Sequence, residues 1–211
     1  MPMNSPLDSR QRSAETKRQR TRERLLAAAG EHFATRGWQG TRVEDIAKQA
    51  GVSVATAFNH FSKHSLIGQV YLPLFEPLRA AARADVDAGV DPLTALRRHV
   101  TDLSALGREN QTLTNALLAA VFEQTANGKA EPGDTNDARN IVPIPEPMIG
   151  IIAYGQDQGR FTKHPSAVAM GVFHSNAMML HIYTKHGESA ADTAELIWSQ
   201  VEPAVLDGVR R

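Results

Sequence analysis

Four residues within a six-residue stretch, Ala55, Thr56, Asn59 and His60, have the types and spacing needed to read a nucleic acid. They fall on one side of a short helix whose apolar positions Val54, Ala57, Phe58 and Phe61 recur at i, i+3, i+4 and i+7. Thr, Asn and His offer donors and acceptors, and Ala55 permits close approach. A major groove about 12 Å wide admits one α-helix, and outward side chains of this kind reach base edges. Ser53 can cap the helix, and Gly51 sits where a tight turn needs positive φ. The helix start and nearby cations then hold phosphates.

Other chemistry has little to stand on. His60 and His64 are four apart but straddle a helix junction. His174 and His181 lie two turns apart on one helix face. No clear carboxylate joins either pair, so no metal is expected. Cysteine is absent, which excludes disulfides, Cys-ligated zinc and thiol catalysis and fits a reducing cytoplasm. No Gly-x-Ser-x-Gly, P-loop, Gly-x-Gly-x-x-Gly or His-Glu-x-x-His occurs. The chain reads as a non-enzyme without a cofactor.

The elements that must position these residues are helical throughout. Residues 1–15 read as a disordered arm, and the basic cluster Arg10 to Arg24 runs into a first helix that Thr16 or Thr21 can cap. Leu25, Leu26, Ala29 and Phe33 mark its buried face, Gly37 its end, and Trp38 a packing residue beyond it. Thr41-Arg42-Val43-Glu44 has the pattern of a capping box for a second helix. A long helix from Ser65 to about Ala88 meets Pro73 and Pro77, which should kink or split it. Asp91-Pro92 opens the next, and residues 127–142 form a breaker-rich loop. Helices follow from near Pro145 to Gly159, from Pro165 or Ser166 to about Lys185, and from a Ser189 cap onward, the last bent at Pro203. The fold class is all-α.

The 211 residues are 42% apolar and 22% charged, values of a globular chain long enough for one or two domains. No apolar run approaches the ~18 residues of a membrane span, and the polar, basic N-terminal stretch lacks the apolar core of a secretory signal. The net charge is zero but unevenly spread. Residues 1–70 carry 11 Lys/Arg against 6 Asp/Glu, and residues 71–211 carry 12 against 17. A basic head on an acidic body suits a polyanion partner for the head.

The run from Thr21 to Trp38 (TRERLLAAAGEHFATRGW) resembles the first helix of the tetracycline-repressor (TetR) family. Thr41 to Ser53 (TRVEDIAKQAGVS) and Val54 to Phe61 (VATAFNHF) resemble its helix-turn-helix. The resemblance implies a basic arm over 1–18, a DNA-binding domain over 19–79 with the helix-turn-helix at about 42–61, and a C-terminal ligand-binding and dimerisation domain over 80–211. It implies DNA contacts at Thr41, Arg42, Ser53, Ala55, Thr56, Phe58, Asn59, His60 and Lys63. Three positions depart from the family's pattern. Phe58 stands where Tyr is common, Ala55 where Gly is common, and the stretch between Phe61 and Leu66 is one residue short, which shifts Lys63.

The segment Ala167 to Tyr183 is apolar on nearly every face, which asks for burial on every face and hence for a partner. With the resemblance, Val172, Met178, Ala194, Ile197, Trp198, Val201 and Val205 are expected at a two-fold four-helix interface. Leu103, Leu106, Phe122, Met148, Tyr154, Phe173, Asn176 and Met179 are expected around a cavity for a small organic ligand. The expected function is that of a homodimeric, cytoplasmic repressor, released from a pseudo-palindromic double-stranded operator by that ligand. The alternative is a ligand-binding or interaction protein with a degenerate, sequence-blind head.

Overall fold

The computed structural model describes residues 6–128, 131–164 and 166–206, which form ten helices and, among the described residues, no strand. Three helices make the head: α1 (Pro6–Arg36), α2 (Val43–Gln49) and α3 (Val54–His60). Six make the body: α5 (Pro92–Glu109), α6 (Gln111–Ala126), α7 (Ala138–Ile141), α8 (Glu146–Asp157), α9 (Ser166–Thr184) and α10 (Ala190–Leu206). Helix α4 (Lys63–Asp87) belongs to both. Its first turns bury Leu66 and Ile67 in the head, and Tyr71, Phe75 and Leu78 continue the same core into the body. Tyr71 is fully buried and shares a 2.9 Å hydrogen bond with Thr114 of α6; burial pushes its phenol up to about 12.

Several elements differ from the sequence expectation, each for a local reason. The stretch from Pro6 to Glu15 is helical rather than a disordered arm, and residues 1–5 lie outside the described residues. Its Leu7, Arg10, Gln11, Arg12, Ala14 and Glu15 are residue types that lose little in a helix. Thr16 and Thr21 lie mid-helix and do not cap it. Their hydroxyls donate back to the Arg12 and Lys17 carbonyls at 2.8 and 3.0 Å. Pro73 and Pro77 do not split α4. They stand four apart on its exposed side, so the missing amides fall on the solvent face, while Tyr71, Phe75 and Leu78 hold the other. Pro203 is likewise exposed inside an uninterrupted α10. Ser53, Asp91 and Ser189 cap as expected, their side chains accepting from the amides of Thr56, Thr94 and Asp192. The loop over 127–142 contains α7.

The body is tight enough that small residues are obligatory. A Cβ built on Gly155 of α8 would lie 2.2 Å from the ring of Phe161, which is itself buried. Gly155→Ala therefore overpacks this contact, at a cost of about 1–3 kcal/mol. In a chain of this size that lowers Tm by several degrees. Thermal unfolding followed by circular dichroism checks it, and Phe161→Leu in the same chain should return part of the loss.

His99 of α5 is buried, and neither ring nitrogen has a hydrogen-bond partner among the described residues. Desolvation pulls its pKa down from 6.5 to about 4. The unfolded chain thus takes up a proton at higher pH than the folded chain. His99 contributes no pH dependence above about 6.5. Stability falls as the pH drops from there toward 4, by about 3 kcal/mol in all. His99→Leu should flatten the acid limb of a urea-denaturation series between those two pH values, and an unchanged slope would contradict this assignment.

Candidate nucleic-acid interface

Helix α1 ends at Gly37, whose φ of +63° turns the chain toward Trp38. The capping box expected at Thr41 does not form. Thr41 is buried and its hydroxyl donates to the Gly37 carbonyl at 2.7 Å, so Arg42 takes the N-cap position of α2 with no side-chain cap bond. This places Thr41 inside the head, below the surface where a DNA contact was expected. Arg42 is exposed beside it. Helix α2 buries Val43, Ile46 and Ala47. The turn to α3 passes through Gly51 at φ +65°, with the Val52 amide closing on the Ala47 carbonyl at 3.0 Å.

Helix α3 is anchored by two residues only, Ala57 and its C-cap Phe61, both buried. Val54 and Phe58, expected on the apolar stripe with them, face outward and are 39% and 54% exposed. Their outward position follows from the small size of the head, where α1 and α2 already cover Ala57 and Phe61. Ala55 and Asn59 are exposed as well. Thr56 is half-buried, its hydroxyl 2.8 Å from the Ser53 hydroxyl that caps its own amide. His60 is half-buried. Desolvation, with the charges of Arg18 and Arg22, lowers its pKa, so the ring is neutral at neutral pH and keeps one donor and one acceptor.

Cations surround this face. The Arg22 guanidinium lies over the Phe61 ring, 4.4 Å from its centre, and an Arg24 nitrogen lies beside the Gly51 turn. Lys63 is placed differently from the sequence expectation. Its ammonium donates to the Trp38 carbonyl at 2.7 Å and sits 4.1 Å from the centre of the Trp38 ring. Desolvation lowers its pKa, against the pull of Glu123. The shortened stretch after Phe61 draws this lysine back over the indole, where it is engaged within the chain.

Trp38 also forms the joint with the body, a role not legible in the sequence. It stacks on Phe33 with ring centres 5.9 Å apart, and His64 tilts against it at 5.0 Å. Its indole N–H donates to Glu123 of α6 at 3.0 Å, and the other Glu123 oxygen is 3.5 Å from His64. The neighbours of Glu123 on α6 line a body cavity of about 220 Å³. Its walls are Leu118, Val121, Phe122, Thr125, Arg139, Val142, Ile144, Pro145, Asn176 and Met179. Of the expected ligand residues, Phe122, Asn176 and Met179 meet here. Leu103 and Met148 are buried in the core, Leu106 and Tyr154 are half-buried elsewhere, and Phe173 is 60% exposed on the outer face. The one cation in the wall, Arg139, is neutralised by Asp137 at 2.6 Å, whose carboxyl its hydrogen bonds hold below the usual range.

The expected interface residues are also redistributed. Met178, Ala194, Ile197, Trp198, Val201 and Val205 are buried within the chain's own core, and Val172 is half-buried. Helices α9 and α10 pack on α5, α6 and α8, and that packing uses up the stripe. The outward face is Phe173, Leu180 and Tyr183 of α9 with Leu196 of α10. The spacing of 173, 176, 180 and 183 is a heptad seam, a signal present in the sequence but masked by apolar residues on every side. Among the described residues no group of His, Asp and Glu is placed to hold a metal, and no helix is long and apolar enough to cross a membrane.

The family model of the bacterial regulatory proteins of the tetR family matches residues 25–68, from the buried face of α1 to the first turns of α4. The chain is 35% identical over 81 residues to the HTH-type transcriptional repressor KstR2 of Rhodococcus jostii (strain RHA1), covering 38% of this chain and 40% of that protein. Among solved structures it is similar to Thermus thermophilus FadR, a TetR-family transcriptional repressor in complex with lauroyl-CoA. That match has 25% identity and a TM-score of 0.69 over 90% of this chain and 96% of that one. It shares its fold with RolR in complex with resorcinol, at 20% identity and a TM-score of 0.64 over 93% and 91% of the two chains. The helix-turn-helix segment thus matches the tetR family of bacterial regulatory proteins, and the all-helical chain as a whole is similar in fold to a solved TetR-family repressor.

Proposed function

We propose that the protein is a homodimeric, sequence-specific DNA-binding repressor, acting in the cytoplasm, that a small uncharged ligand releases from a pseudo-palindromic operator. The observation that carries this reading is the outward face of α3. Ala55, Phe58 and Asn59 project from a short helix whose anchoring uses only Ala57 and Phe61, with Arg42 exposed at the neighbouring helix start. Two such helices in one dimer fit successive major-groove turns about 34 Å apart. The arginines add salt-dependent affinity that is blind to sequence.

The second copy docks on the heptad face of α9 and α10, where Phe173, Leu180, Tyr183 and Leu196 are left exposed. The ligand enters the cavity beside α6. With Arg139 neutralised by Asp137, its wall is apolar apart from Thr125 and Asn176, which favours an uncharged, largely apolar molecule. Displacement of α6 by that molecule moves Glu123, and with it Trp38 and the head. A coupling of about 1–3 kcal/mol, typical of such systems, weakens operator binding roughly 5–150-fold.

A second reading, a head that holds DNA without reading it, draws on Lys63, whose ammonium is already engaged by Trp38. Selection of bound duplexes from a random pool at near-physiological salt separates the two readings. An enriched inverted repeat supports the repressor, and salt-sensitive binding without enrichment supports the alternative. Thr56→Ala keeps the amide that Ser53 caps, and Asn59 is exposed, so both variants fold. Thr56→Ala and Asn59→Ala should each lose about 5–150-fold in operator affinity while remaining dimeric. Phe173→Glu with Leu180→Glu should give a monomer by sedimentation and abolish tight operator binding, and a dimer that persists would refute the proposed interface.

A further inference from the structure

We infer that Phe58 is a specificity-determining residue that reads the 5-methyl group of a thymine in each operator half-site, with Val54 lying beside it. The inference rests on the sequence-reading role proposed above. Among the described residues, Phe58 is the most exposed of the large apolar side chains of the head, at 54%, and Val54, one helical turn before it, is exposed too. They form an apolar strip on the same outward surface as Ala55 and Asn59.

Water is a poor solvent for such a strip, and nothing in the fold requires it. Ala57 and Phe61 already anchor α3, so a polar residue at 58 would leave the head core intact. What covers the strip is set by its surroundings. Arg22 and Arg24 lie alongside α3, and the charges of Arg18 and Arg22 act on His60 within it, so the partner of this surface is a polyanion. A phenyl ring carries neither donor nor acceptor and cannot bind a phosphate oxygen. Along the major-groove edges of the four base pairs, the one apolar group is the thymine methyl. A phenyl ring on a groove-facing helix therefore has one favourable partner there, and a cytosine or purine in that place leaves the ring against unsatisfied polar edges.

The test uses the full-length protein and the inverted repeat recovered by selection. Each thymine is replaced singly by deoxyuridine, which removes only the methyl group, and affinities are measured for the wild type, Phe58→Ala and Phe58→Tyr. Phe58 is exposed, and the thermal midpoints of both variants confirm folding. One deoxyuridine position per half-site should weaken the wild type about fourfold, the worth of one buried methyl. The same replacement should leave Phe58→Ala unaffected, because its contact is already gone. Phe58→Tyr keeps the ring and should keep the methyl dependence. The inference is overturned if no thymine position matters, or if the loss is equal in the wild type and Phe58→Ala. Failure to recover any repeat overturns the sequence-reading role itself, and this inference with it, so the two failures are distinguishable.

Discussion

The contact of Trp38 with Glu123 is where the two halves of the molecule are made into one. Trp38 is buried against Phe33 in the head, carries the Lys63 ammonium on its face and carbonyl, and donates its indole N–H across to α6. An indole N–H buried without an acceptor would cost about 1–3 kcal/mol, so Glu123 is needed wherever Trp38 is buried. The carboxylate in turn lies 3.5 Å from His64 and near the Lys63 ammonium. The orientation of α3 follows from this joint, because Phe61, Ser62 and Lys63 lead from α3 straight into α4 beside Trp38. A head held only by α4 would pivot about one helix. Held also through Trp38 and by the packing of α1 on α6, it has a fixed direction relative to the body.

The same arrangement would let a chain of zero net charge address the polyanion proposed as its partner. Basic residues are concentrated in the head, where Arg22 and Arg24 border α3. The acids of the body tie down its cations. Glu146 holds Arg79 of α4 at 2.6 Å, and Asp137 holds Arg139. Ion pairs of this kind add little stability at the surface, but among the described residues they leave few free cations in the body to compete with the head for phosphate.

Much of this was readable from residue order. The helix-turn-helix, the Ser53 cap and the Gly51 turn are local features, decided within a few residues, and the structure places them where their types require. What was not readable depends on long-range packing. Periodicity marked Val54 and Phe58 as apolar positions, but which side a seven-residue helix buries depends on how much surface α1 and α2 offer it. Thr41 matched a capping pattern, yet the approach of Gly37 claimed its hydroxyl first. In α9 and α10 hydrophobicity runs all round, so the buried and outward stripes could not be separated without knowing where α5 and α8 lie. The link of Glu123 to Trp38 spans 85 positions and has no local signature.

On the proposed function, these long-range contacts would also decide how a ligand in the body is felt at the head. Glu123 lies between Phe122 and Thr125, which line the cavity, so one turn of α6 serves both the cavity wall and the joint. The cavity of about 220 Å³ is smaller than the ~300 Å³ at which ligand sites commonly begin. A molecule that fits the proposed reading must therefore enlarge it, and a close-packed body yields by moving whole helices rather than by compressing. On the α9 side the wall is backed by the helix that the second copy would cover, which favours displacement of α6 instead. A ligand shifts the head only by as much as it prefers the enlarged cavity over the closed one. If the proposed dimer binds as inferred, the same linkage means that DNA holding its two heads at one spacing would keep the cavity closed and weaken the ligand by an equal factor.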